Sequence, residues 1–105
     1  MINWERIREL RQEIGAEAFE EVLDLFLEEV EGGLDRVRDD MSASERGELM
    51  HFIVGSALNL GFVTLAGLCQ AVGRGERAAS SAEIRDCYHR SRAEFFANIG
   101  SAIAA

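Results

Sequence analysis

The chain has 105 residues, room for one domain around one core and not for a second folded unit. Hydrophobic residues make up 48%, a globular share, and proline is absent, which suits helices joined by short connections. A formal net charge of −8 repels phosphate backbones and anionic membranes, so neither nucleic acid nor a membrane is an expected partner.

Asn3 can cap free amides and opens a first helix running to about Glu13, with Trp4, Ile7, Leu10 and Ile14 at helical spacing; Gly15 ends it. This short amphipathic segment can lie across a bundle end. A second helix is predicted from Ala16 to about Asp40. Its stripe is Phe19, Val22, Leu23, Phe26, Val30, Leu34 and Val37, with Glu20, Glu21, Asp24, Glu28 and Glu31 outside. Gly32 and Gly33 weaken its middle by about 1 kcal/mol each, which leaves room for a bend there, although the stripe keeps its phase through them. Ser42 followed by Glu45 is a capping-box pattern, and it opens a third helix running to about Leu60 with a pause at Gly61. A fourth helix follows from Phe62 or Thr64 to about Gly73, with Leu65, Leu68, Cys69 and Val72 inward. Gly73, Arg74 and Gly75 form its stop signal. A second capping box, Ser80 with Glu83, opens the last helix, whose inward stripe is Ile84, Tyr88, Ser91, Phe95, Ile99 and Ala102.

Repeats, low-complexity tracts and alternating strand patterns are absent from this sequence. Four amphipathic helices on short turns bury their stripes best together. The expected fold is therefore all-α, a single domain over residues 1–105: an antiparallel up-down four-helix bundle with a short extra N-terminal helix. A monomer is expected because the stripes are satisfied within one bundle. Cys69 and Cys87 make no disulfide framework: packed helix axes lie about 8–10 Å apart, whereas a disulfide needs Cα atoms within about 7 Å. Reduced, buried or half-buried thiols are expected. Apolar runs fall short of the roughly 18 residues of a membrane span, and MINWERIRE lacks the apolar core of a signal peptide, so a soluble cytoplasmic protein is expected.

The third helix carries the chemistry. At about 100° per residue, Leu49, Ile53, Ser56 and Leu60 share one side, and His51 points away from them toward water. Val54 and Leu58 put apolar groups near His51, with Gly47 and Gly55 one turn before and after it. Apolar residues clustered on a solvent face mark a contact surface. An imidazole nitrogen is a competent nucleophile near neutral pH, because the ring's ordinary pKa of about 6.5 leaves much of it unprotonated. No Walker loop and no kinase-type glycine fingerprint occurs, so an ATP site is not expected.

His51, Gly55, Ser56, Ala57, Asn59, Leu60 and Gly61, followed by Leu65, Leu68 and Cys69, resemble the signature H-x-x-K-G-S-A-x-x-L-G of the histidine-containing phosphotransfer (HPt) domain family. Gly15, Phe19, Leu23, Phe26 and Glu29 resemble the helix that precedes the histidine helix in that family, and the likeness spans residues 3–103. The resemblance implies a relay carrier in a two-component phosphorelay: His51 accepts a phosphoryl group from a receiver-domain aspartate and returns it to another. The carrier has no cofactor of its own, and Mg²⁺ arrives with the receiver. Partners implied are receiver domains of response regulators or hybrid histidine kinases. Val54, Leu58 and Phe62 would form an apolar rim for a receiver helix, Gly47 and Gly55 would let it approach, and Ser56 would support the site or simply permit close helix packing. The chain would act as a free carrier with no fused output domain.

One departure from the pattern stands out: Val54 occupies the position of the lysine. In the family that lysine sets a cation beside the phosphoryl group; valine cannot. Either transfer persists with a less stabilised phosphohistidine, or the domain is an adaptor that binds a receiver or sensor kinase without carrying phosphate. A third reading starts from Glu48 and His51, a Glu-x-x-His pair of the kind used in di-iron bundles. Only Asp86 and His89 approximate a second pair, and His51 points outward, so no metal site is expected. His89 with Asp86 reads as a solvated pair.

Overall fold

A computed structural model describes residues 1–104. Five helices account for most of them: α1 (Trp4–Ile14), α2 (Ala16–Asp35), α3 (Ala43–Asn59), α4 (Val63–Gly73) and α5 (Ser81–Ala104). The caps foreseen from composition are in place. Asn3 accepts a hydrogen bond from the Arg6 amide at 3.3 Å, and the hydroxyls of Ser42 and Ser80 accept from the amides of Glu45 and Glu83, each at 3.1 Å. Ser42 also donates to the Glu45 carboxylate at 2.9 Å, which fixes the first turn of α3.

The helices pack as a bundle 43 Å long and 19 Å across. Each of α2, α3 and α4 lies against the helix that follows it, and α1 touches α2 and α5. Phe62, Tyr88, Phe95, Ile7, Met50, Ile53, Leu60 and Leu65 are the largest fully enclosed side chains. Trp4 of α1 stacks on Phe95 of α5, ring centroids 5.4 Å apart. Cys69 and Cys87 are buried free thiols; burial, with Cys87 close by, pushes the Cys69 thiol up to about 12. Among the described residues no helix is long and apolar enough to cross a membrane.

One expectation for α2 needs correction. The helix stops at Asp35, not Asp40. The guanidinium of Arg85, from α5, donates to the Leu34 and Val37 carbonyls at 2.9 and 2.7 Å, capturing acceptors that a continuing helix would use itself. The glycine pair does not interrupt the helix. A Cβ on Gly33 would sit 2.8 Å from Ile53 and 3.3 Å from the Phe52 ring, so Gly33 exists for the close approach of α3. Leu27 is buried in the stripe where Val22 and Phe26 are only half-buried. Asp86 pairs with Arg90 at 3.0 Å rather than with His89, whose ring stands edge-on to Tyr88 at 5.4 Å.

Candidate functional site

Helix α3 is held between α2 and α4 by small residues. Gly33 admits its middle, while Gly47 and Gly73 let its first turns touch the end of α4: a Cβ on Gly73 would lie 2.9 Å from that of Met50. With its inner face so fixed, α3 buries Leu49, Met50, Ile53, Ser56 and Ala57 and turns His51 out to solvent.

The other candidate residues separate into three places. Gly55 and Leu58 are exposed with His51; nothing lies within 4 Å of where a Gly55 Cβ would be, and Leu58 keeps 50% of its surface open. Val54 is half-buried at the edge of that face, its body packed on the core, and Gly47 is half-buried beside the Gly73 carbonyl. Ser56 faces the other way, 5% exposed, with its hydroxyl donating to Glu29 of α2 at 3.4 Å, so it belongs to the α2–α3 contact and not to the histidine.

Phe62 is not part of an exposed rim. It is 0% exposed, in tilted contact with Phe95 and Tyr88 at 5.5 and 6.1 Å. The cause is local. After Asn59 the amides of Leu60, Gly61 and Phe62 bond back to Ala57, Leu58 and Ala57, and Gly61 adopts a φ of +68°, which throws the next residue inward. Asn3 then clamps the turn by donating to the Gly61 carbonyl at 2.7 Å, and Ile2 pairs with Phe62 as an isolated bridge.

Val63, the first residue of α4, is 38% exposed where Phe62 is enclosed. A signal for this wider face was present in the sequence. From Leu49 to Gly73 there is no Asp, Glu, Lys or Arg, although such residues make up 29% of the chain. The α3–α4 hairpin therefore presents His51, Gly55, Leu58, Val63, Gly67 and Gln70 to solvent without a formal charge among them. Glu48, one turn before His51, and Arg74, at the end of α4, bound it. Among the described residues no three His, Cys, Asp or Glu side chains converge as metal ligands. An accessible imidazole on such a face can act as a nucleophile toward a group carried by a docked partner, and the partner must supply any charge compensation. No family model, curated protein or solved structure matches the chain.

Proposed function

We propose that this chain is a histidine phosphotransfer protein of a two-component phosphorelay, working in the cytoplasm between receiver domains. The observation that carries the reading is His51, exposed on the outer face of α3 within an uncharged hairpin that has Leu58 and Val63 as apolar contacts and Gly55 as an open approach. The finer architecture belongs to the same proposal: α2 to α5 form an up-down four-helix bundle with α1 across one end. Its support is the pairing of Glu29 with Ser56, Gly33 with Ile53, Gly47 with Gly73, and Glu31 with Tyr88.

In the transfer step an imidazole nitrogen of His51 attacks the phosphorus of a receiver's aspartyl phosphate. The N–P bond forms as the O–P bond to the carboxylate breaks, and the aspartate leaves with the electron pair. The reverse step regenerates an acyl phosphate on the next receiver. This chain's residues place the nucleophile and exclude water around it when a receiver docks on Leu58 and Val63; the receiver brings Mg²⁺ for the phosphoryl charge.

The test is phosphoryl transfer from a panel of phosphorylated receiver domains, with Mg²⁺, to the wild type and to His51→Gln, read as acid-labile label. Label on the wild type and complete loss in His51→Gln is the expected result. A receiver that binds the wild type and never labels it would overturn the relay and leave the adaptor. That second reading has one specific observation behind it, the half-buried Val54 where the family motif has lysine. If the relay operates, Val54→Lys is expected to lengthen the phosphohistidine lifetime by severalfold, since a partly solvated cation beside the phosphoryl group offsets about 1 kcal/mol. An unchanged lifetime and transfer rate would show that position 54 does not act on the phosphoryl group.

A further inference from the structure

A second surface lies between α2 and α5 and shares no residue with the histidine face. Phe19 and Leu23 form the floor of an open groove of about 380 Å³; Ile99, Gly100 and Ile103 form its α5 side, with Phe96 at the rim. Phe96 is 46% exposed; the Arg92 guanidinium lies 4.8 Å from its ring centroid, and the Phe95 ring meets it edge-on at 5.2 Å. Where a Gly100 Cβ would be there is open space, so a partner's backbone can approach there.

Glu20 and Asp24 line the groove. The cation at its rim, Arg92 over the Phe96 ring, is itself paired with Glu31 at 3.7 Å, so the acids of α2 set the local charge. Farther out on α2, Glu17, Glu21 and Glu28 are exposed, and among the described residues none of these five carboxylates makes an ion pair or hydrogen bond. A second copy of the chain fits poorly, since it would bring the same acids and another −8 of formal charge against them. Nucleic acid and anionic lipid are repelled for the same reason.

We propose that this groove docks a cationic amphipathic helix of a partner protein. Two packed helices leave a furrow that a third helix fills with residues one turn apart. The guest's apolar edge covers Phe96, Ile99 and Ile103 above the buried Phe19 and Leu23, and its Lys and Arg residues face Glu20, Asp24 and the outer acids of α2. The Arg92 contact already shows that the Phe96 ring accepts a guanidinium. Docking there leaves His51 uncovered, so a partner can hold the chain while a receiver uses the other face; the proposal stands whether or not His51 carries phosphate.

The test uses the whole chain, isotopically labelled for amide NMR, and two synthetic helices about five turns long, one Leu/Lys and one Leu/Glu of the same pattern. Expected are shifts centred on Phe19, Leu23, Phe96 and Gly100 with the Leu/Lys helix alone. Affinity should fall about tenfold between roughly 0.05 and 0.5 M salt. Phe96→Ala should lower it about tenfold with every charge retained, and Phe96→Leu should restore most of the loss. Binding indifferent to Phe96→Ala would reduce the effect to bulk charge attraction and overturn the proposal. So would shifts centred on the α3–α4 hairpin, equal binding of the Leu/Glu helix, no binding of either, or self-association through the groove.

Discussion

Phe62→Ala is expected to destabilise the protein by about 3–5 kcal/mol, whereas Leu58→Ala leaves stability within about 0.5 kcal/mol. The two positions lie four residues apart on either side of the α3–α4 turn, and helical spacing alone would place both on the docking rim. They differ in burial: Phe62 is fully enclosed against Phe95 and Tyr88, while half of Leu58 is open to water. Removing the Phe62 ring leaves a cavity where three aromatic side chains meet, and the surrounding backbone is tied by hydrogen bonds at Gly61 and Ala57 that limit collapse. Urea unfolding of the two variants measures both effects. A loss under about 1 kcal/mol for Phe62→Ala would contradict its enclosure in the core. Because Leu58→Ala keeps the fold, any loss of receiver binding it causes reports on docking alone, and Phe62 variants cannot serve that purpose.

Gly61→Ala is expected to cost about 2–4 kcal/mol, although it adds a single methyl group. Three effects act together. The φ of +68° is a left-handed conformation that costs an L side chain about 1–2 kcal/mol. The new Cβ would stand 2.6 Å from the Asn3 carbonyl oxygen, a backbone atom that cannot swing aside as a side chain would. Relief of that clash moves Asn3 and breaks its 2.7 Å bond to the Gly61 carbonyl, worth about 1 kcal/mol, and loosens buried Ile2 from Phe62. Denaturant unfolding gives the magnitude, and amide hydrogen exchange gives the location: the Asn3 amide should lose protection in the variant while amides in the middle of α2 and α3 keep theirs relative to global stability. Unchanged Asn3 protection, or a cost below about 1 kcal/mol, would show that the N-terminal segment does not clamp the turn.

The five helices could be read from the chain because the forces that make them act within one or two turns. Periodic apolar residues, the Ser42–Glu45 and Ser80–Glu83 boxes and the Asn3 cap all act over three or four residues, and each of these signals lies where the helices begin. The outward direction of His51 was legible for the same reason: Leu49, Ile53 and Ser56 determine which face of α3 is buried, and His51 lies opposite. The uncharged run from Leu49 to Gly73 was also plain in the letters.

What tertiary structure alone decided lies where a residue from elsewhere in the chain competes with the local pattern. The end of α2 is determined by Arg85, some fifty residues on, which takes the Leu34 and Val37 carbonyls; nothing between Asp35 and Asp40 announces it. Ser56 sits in a motif beside His51 in sequence, yet its hydroxyl belongs to Glu29 across the α2–α3 contact. The family resemblance implies Phe62 at the rim beside Leu58, but helical phase is lost at a left-handed glycine. Beyond Gly61 the direction of a side chain depends on which helix packs back and on the Met1–Asn3 segment that holds the turn, neither of which is encoded within reach of the glycine itself. Short-range hydrogen bonding and apolar spacing thus determined the helices and the histidine's outlook, and long-range packing decided which of its neighbours stand at the surface beside it.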